Sequence, residues 1–264
     1  MTGVLNRSEH ITRRDFGVIT GGALASLVLG GACHRGIEPP FADDGRLTAR
    51  PRANVETSAR TESALGLGSR RDAILHLPAK VTSDPLPLLV LFHGAGGSAE
   101  GVLEHLGSAP DEAGVAVLAP DSRASSWDAI RYGFGPDVAF VNRALERVFD
   151  TVAVDPARIA VGGFSDGATY AVSVGLINGD LFSRVVAFSP GFIIEGTPHG
   201  TPRFFISHGE ADQILPIARC GRRIVSDLRK RGYDVTFREF DGGHEIPADI
   251  ARDGMKWVAE ASSG

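Results

Sequence analysis

The composition is that of a soluble globular protein with room for one large domain. The chain has 264 residues, of which 43% are hydrophobic and 22% are charged, and a chain of this length accommodates a single α/β domain. The net charge of −5 is not the strong basic excess that marks nucleic-acid binding, so we expect no nucleic-acid partner. No His/Cys cluster has metal-ligand spacing, and we expect no metal.

The N-terminal region, residues 1–36, resembles a bacterial twin-arginine export signal. The pair Arg13-Arg14 precedes an apolar stretch, residues 17–32, and no charged residue lies between that stretch and Arg35. The stretch is rich in Gly and Ala and is short for a permanent transmembrane helix, which needs about 20 strongly apolar residues. We therefore expect export, with an uncleaved membrane anchor as the alternative.

Cys33 directly follows Leu29 and three small residues, an arrangement that resembles the lipidation site of bacterial lipoproteins. The leucine is displaced, because Leu29 stands one place further from the cysteine than is usual. Lipidation of Cys33 and ordinary cleavage near the same residues are therefore both open. In either case Cys220 has no partner in the mature domain, and we expect no disulfide framework.

Residues 37–68 differ in composition from the rest of the chain. They are rich in Pro, Ala, Arg, Thr and Glu and show little apolar periodicity, which is typical of segments that do not bury a core. The sequence predicts a poorly ordered linker over residues 37–68 and a folded domain over residues 69–264.

Short apolar runs alternate with helical patterns along this domain. Residues 72–77 are predicted as an edge strand, and the continuous apolar run at 87–92 is typical of strands buried on both faces. A helix is predicted to begin near Ser98, followed by a strand at 115–119. Residues 136–150 then show helical periodicity, with valines and a leucine sharing one face.

The alternation continues to the end of the chain. The later predicted strands are 158–162, 184–188, 203–207 and 234–240, and the later predicted helices begin at Asp166 or span 217–231 and 247–261. Strands and helices in alternation predict an α/β fold with a mostly parallel central sheet and helices on both faces.

The pentapeptide Gly163-Phe164-Ser165-Asp166-Gly167 is a G-x-S-x-G motif between a predicted strand and a predicted helix. In that context it is typical of a nucleophile elbow, a sharp turn in which small neighbours let the serine face solvent at the top of the sheet. The alternative is a glycine-rich turn that Ser165 merely caps. We interpret Ser165 as a catalytic nucleophile.

A serine hydroxyl needs a base, and chain order selects one candidate. In folds with this elbow the catalytic residues follow the order Ser, acid, His, and His244 lies after the last predicted strand and before the last predicted helix. The acid should follow a strand between them, which makes Asp212 the first candidate and Glu210 the reserve. The alternatives are a surface-loop histidine and a loop-capping aspartate.

Two backbone N–H groups are candidates for an oxyanion hole. One belongs to Asp166, which follows the nucleophile, and the other belongs to the glycine-rich stretch after Phe92, with Ala95 as first choice and Gly96 as second. A glycine-rich turn without a catalytic part is the alternative. The stretch lacks the Lys-Ser/Thr of a phosphate-binding loop and the spacing of a dinucleotide site.

Four motifs in this order resemble the phospholipase/carboxylesterase family of α/β-hydrolases, and are also similar to polyhydroxybutyrate-depolymerase-like and feruloyl-esterase-like proteins. They are His93-Gly94, residues 163–167, residues 208–212 and Gly243-His244. The resemblance covers residues 72–261 and implies an α/β-hydrolase fold that cleaves carboxylic esters without a cofactor. Asp166 departs from the pattern, because many relatives carry a neutral Gln or Met there, and its carboxylate must point away from the oxyanion.

Three aromatic residues, Trp127, Tyr132 and Phe134, lie between a strand and a helix, where ligands enter open α/β sheets. We predict them as an apolar wall of the substrate site, with packing of the loop onto the domain as the alternative. No insertion long enough for a helical lid is evident, which favours short-chain or aromatic esters over long triglycerides.

The function expected from these features is an exported serine esterase acting on a small or polymeric ester. A peptidase or amidase on the same fold is one alternative, and a catalytically silent surface lipoprotein that binds a ligand in the cleft is another. Contact with a membrane is expected only through the export signal or a lipid anchor. The sequence predicts no oligomeric state.

Overall fold

One eight-stranded sheet organises the computed structural model, which describes residues 44–59, 62–68, 70–81 and 83–261. Apart from an antiparallel edge formed by the first two strands, all neighbouring strands are parallel. The strands are β1 (Glu62–Ala64), β2 (Ala73–His76), β3 (Leu86–Phe92), β4 (Ala116–Pro120), β5 (Val154–Phe164), β6 (Arg184–Phe188), β7 (Arg203–Gly209) and β8 (Val235–Phe240). They lie in the order β1-β2-β4-β3-β5-β6-β7-β8.

Helices cover both faces of this sheet, as predicted. They are α1 (Ala99–Leu106), α2 (Ala109–Ala113), α3 (Pro136–Thr151), α4 (Asp166–Ile177), α5 (Gly221–Lys230) and α6 (Ala248–Ala259), with a 3₁₀ turn at Asp128–Ile130. The first apolar core lies under α3, α4 and α5, and the second lies under α1, α2 and α6. Among the described residues, no helix is both long and apolar enough to cross a membrane.

The pattern of burial explains why the sheet could be predicted. All seven residues of β3 are buried, because helices cover both sides of a central parallel strand. The predicted α/β-hydrolase fold is confirmed. The short elements α2 and β1 were not predicted, since five and three residues are too few to show a period.

The predicted linker needs correction over residues 44–59 and 62–68. Leu47 is buried in the first core at 1% exposure, and its N–H donates to Asn178 Oδ1 at 2.8 Å. Arg46 pairs with Asp180 at 2.7 Å, and β1 joins the sheet edge. These contacts are made through the backbone and through single side chains, so they leave no apolar period in the sequence. The predicted export signal and Cys33 lie outside the described residues.

Candidate active site

Ser165 occupies a sharp turn between β5 and α4, with φ of 58° and ψ of −120°. Positive φ is costly for a residue with a side chain, so the surrounding structure must enforce it. The Ser165 N–H donates to Phe188 O at 3.0 Å, and the Thr169 N–H donates to Ser165 O at 3.0 Å. A Cβ at Gly163 would overlap the backbone of Gly167. The turn therefore depends on glycine on both sides of the serine.

The three residues predicted to act together form one chain of hydrogen bonds. His244 Nε2 lies 2.8 Å from Ser165 Oγ, and His244 Nδ1 lies 2.7 Å from Asp212 Oδ2. Each residue follows a strand of the parallel sheet, so their side chains meet at its carboxyl edge. A neutral His244 that donates its Nδ1–H to Asp212 can accept the Ser165 proton at Nε2.

Asp212 is buried at 5% exposure, and its carboxylate is held by more than the base. Asp212 Oδ1 accepts from the N–H of Ile214 at 2.9 Å and of Leu215 at 2.8 Å. Burial by itself raises the pKa of Asp212, but the bonds from His244 and Leu215 outweigh it and leave that pKa below its usual value. The group is therefore a fixed carboxylate at neutral pH.

Sequence reasoning did not find a second histidine in contact with this carboxylate. His208 is the penultimate residue of β7, and its Nε2 lies 3.2 Å from Asp212 Oδ2 and 2.6 Å from Leu215 O. The His208-Gly209-Glu210-Ala211-Asp212 motif places the two residues four positions apart, a spacing that permits a contact across a turn but does not by itself predict one. Glu210, the reserve acid, is exposed.

The loop predicted to complete an oxyanion hole lies against the nucleophile. A Cβ at Gly94 would come within 3.4 Å of Ser165 Cβ. The Gly96 N–H donates to Ser125 O at 2.6 Å, whereas in the described part of the chain neither the Ala95 N–H nor the Asp166 N–H has a hydrogen-bond acceptor. This leaves Ala95 and Asp166 as the available donors and sets aside Gly96.

The imidazole of His93 holds that loop in place through contacts made by both ring nitrogens. His93 Nδ1 lies 2.7 Å from Gly94 O, and His93 Nε2 accepts from the Ser122 N–H at 3.0 Å. Burial lowers the pKa of His93, which keeps the ring neutral and lets Nε2 act as an acceptor. These contacts give His93 a structural role in the loop, and Gly94 lies close to Ser165.

The unusual carboxylate of Asp166 is turned toward the connection between β4 and α3. Asp166 Oδ2 accepts from Ser126 Oγ at 2.6 Å, and Ser126 is buried at 6% exposure. The hydrogen bond holds the negative charge on Ser126 and gives a physical reason why the side chain can point away from the oxyanion position.

The predicted aromatic wall is wrong for Trp127 and Phe134. Trp127 is 1% exposed, Phe134 is 8% exposed, and only Tyr132, at 88%, faces solvent. The Trp127 ring stacks on Tyr170 at 5.0 Å, and its Nε1–H donates to His93 O at 2.9 Å. Both rings therefore fill the space between the connecting loop and α4 instead of lining a cleft.

The sequence of residues 138–260 matches the phospholipase/carboxylesterase family. A protein of Nocardia uniformis subsp. tsuyamanensis named "Putative esterase NocK" is 31% identical over 234 residues, which cover 78% of this chain and 66% of that protein. Acyl-protein thioesterase 1 of Emericella nidulans is 29% identical over 97 residues, which cover 33% of this chain and 40% of that protein. The match thus spans about two thirds of the first relative's length and less than half of the second's.

Solved structures share the fold at lower sequence identity. The S-formylglutathione hydrolase of Staphylococcus aureus superposes with a TM-score of 0.61 at 17% identity, over 75% of this chain and 98% of that one. At this identity the likeness concerns the arrangement of the sheet and helices.

Proposed function

Because the chain is a carboxylesterase-like α/β-hydrolase, we propose that it is an exported serine hydrolase that cleaves carboxylic esters through an acyl-enzyme. In this proposal Ser165 is the nucleophile, His244 the base and Asp212 the residue that orients the base. The observation that supports these roles most directly is the pair of hydrogen bonds at 2.8 Å and 2.7 Å that joins the three side chains. Nucleophile, base and orienting group within hydrogen-bond reach are what acyl transfer requires.

The proposed reaction begins with attack of Ser165 Oγ on the ester carbonyl while His244 Nε2 takes the hydroxyl proton. The N–H groups of Asp166 and Ala95 stabilise the negative charge that develops on the carbonyl oxygen. His244 then gives its proton to the departing alcohol, which leaves the acyl group on Ser165. Water, deprotonated by His244, releases the acid and restores the enzyme.

We infer that the acyl group is short or aromatic. The support is the connection between β6 and β7, which contains no helix in the described structure, so nothing there resembles the helical lid expected for long triglycerides. The half-exposed Phe192, at 47%, belongs to this connection. Trp127 and Phe134 give no support, since both are buried.

A panel of p-nitrophenyl esters with acyl chains of graded length, beside a feruloyl ester, a thioester and a peptide anilide, tests the reaction class. We expect hydrolysis of the short and aromatic esters and little turnover of the anilide. The matched pair is Ser165→Ala and Ser226→Ala, since Ser226 is an exposed serine of α5. Only the first variant should lose activity, by several orders of magnitude. Wild-type turnover in Ser165→Ala would contradict the mechanism, and faster cleavage of the anilide would identify an amidase.

A further inference from the structure

His208 is an ionisable side chain that the proposed reaction does not use, although it touches the carboxylate that the reaction needs. Its side chain and that of Asp212 are both 0% exposed. Its Nε2 faces two oxygens, Leu215 O at 2.6 Å and Asp212 Oδ2 at 3.2 Å. Its Nδ1 is buried without a hydrogen-bond partner in the described part of the chain.

These surroundings fix both the charge and the tautomer of the ring. Burial lowers the pKa of His208, so the imidazole is neutral near pH 7. A neutral ring carries one hydrogen, and that hydrogen must lie on Nε2, because a lone pair there would face two acceptor oxygens. The other edge is packed against α5, where a Cβ at Gly221 would lie 2.7 Å from Nδ1.

We propose that His208 is a positioning residue that tunes the base of this site. Its Nε2–H is hydrogen-bonded to Leu215 O at 2.6 Å, and the same nitrogen lies 3.2 Å from Asp212 Oδ2, the oxygen that also accepts the Nδ1–H of His244. The positive end of this N–H attracts part of the negative charge on Asp212 Oδ2, which weakens the contact with His244 and makes the His244 imidazolium less stable relative to the neutral ring. The inference rests on the proposed function, since it assigns His208 a part in the same reaction.

In the described part of the chain, no hydrogen bond other than that from His244 reaches Asp212 Oδ2. Cys220 and Glu239 are the other titratable side chains that interact electrostatically with the pair, from the start of α5 and from β8. Burial raises the pKa of the Cys220 thiol, and Glu239 is occupied by Arg222 at 2.6 Å. The two N–H groups of Ile214 and Leu215 bind the other carboxylate oxygen.

The test compares a variant that keeps a donor with one that removes it. His208→Gln places an amide N–H near the position of Nε2, whereas His208→Met fills similar space without a donor. The pKa of His244 is measured by NMR titration of histidine-labelled protein, and the acid limb of kcat/KM is measured with the best p-nitrophenyl ester. His208→Met should raise both by about half to one pH unit, and His208→Gln should stay near wild type.

A second variant leaves His208 itself unchanged. Gly221→Ala places a methyl group against Nδ1 at the first residue of α5, where alanine suits the helix, and should displace the ring. It should shift the pKa of His244 in the same direction as His208→Met. His199→Met, a change of an exposed histidine in another loop, is the control and should shift nothing.

The outcomes separate this inference from the proposed function. An unchanged His244 pKa in both His208→Met and Gly221→Ala would overturn the inference, as would equal shifts in His208→Met and His208→Gln. If the NMR shift occurs but no ester is cleaved by wild type, the proposed function fails while the contact between His208 and Asp212 stands.

Discussion

Asp212 and Glu210 lie two residues apart in one loop, yet their surroundings differ. Asp212 is buried, receives two backbone N–H groups and contacts His244 at 2.7 Å, whereas Glu210 is exposed. Asp212→Asn should keep the shape but favour the wrong imidazole tautomer, a change that lowers kcat by about 10⁴ in a serine protease. Glu210→Gln should lower kcat by no more than a few-fold. Steady-state kinetics of the two variants at neutral pH check the assignment, and the reverse ranking would make Glu210 the acid.

The hydroxyl of Ser126 holds the carboxylate of Asp166, the residue that follows Ser165. Ser126→Ala would release the Asp166 carboxylate from its bond at 2.6 Å and leave a negative charge free to approach the oxyanion position. We expect kcat for esters to fall roughly 5–10-fold, which corresponds to about 1 kcal/mol of transition-state stabilisation. The double variant Ser126→Ala with Asp166→Asn removes the charge and should recover most of the loss. No recovery would mean that Ser126 acts on the loop instead of on the charge.

The proximity of residues marked by a motif and by chain order could be predicted, whereas contacts that depend on packing could not. Ser165 and His244 are marked by motifs beside strand ends, and the structure brings them together. The position of Trp127 could not be read, because its burial depends on Tyr170 and on the backbone of His93, both distant in sequence. His208 was visible as a residue, but its contact with Asp212 depends on the path of the loop.

At the scale of elements, the segment before β1 is held by side-chain amides. The buried Asn178 donates from Nδ2 to Gly45 O at 2.9 Å and accepts the Leu47 N–H at Oδ1. Asn178→Ala should therefore cost about 2 kcal/mol of unfolding free energy and lower Tm by roughly 4–8 °C. Asp150→Ala breaks an exposed pair with Arg52 and should change stability by less than about 0.5 kcal/mol. Equal thermal unfolding of the two variants would show that the segment adds no stability.

The same segment shows where prediction from periodicity ends. β3 and α3 have apolar patterns that match their burial, because long elements repeat the same environment several times. Residues 44–59 make single contacts with α3, α4 and the following turn, and no repeat records them. The segment was predicted as a linker for this reason.

At the scale of the whole molecule, the order of the strands in the sheet could not be predicted from the sequence. The predicted number of strands and their mostly parallel direction were nearly correct. The alternation of strands and helices specifies parallel neighbours, but β3 lies between β4 and β5, and that choice depends on which helix covers which face. Ser165, Asp212 and His244 lie at the carboxyl edge of β5, β7 and β8, so these three side chains meet only after the sheet is complete.

Because the site forms only in the folded domain, a folded state would have to be reached before the protein leaves the cytoplasm by the twin-arginine route. Cys220 is the one cysteine among the described residues and is free and buried, so the domain can fold completely where thiols stay reduced, as export of a folded protein requires. Replacing Arg13-Arg14 by two lysines should trap precursor in the cytoplasm with an active site already formed, detectable as ester hydrolysis in the cytoplasmic fraction. Arg35→Lys, a change outside the pair, should export normally. Normal export of the double lysine variant, or of wild type in a strain without the twin-arginine machinery, would contradict export by this route.

Lipidation of Cys33 is a separate step from export. Labelled palmitate should be incorporated into the wild type but not into Cys33→Ser.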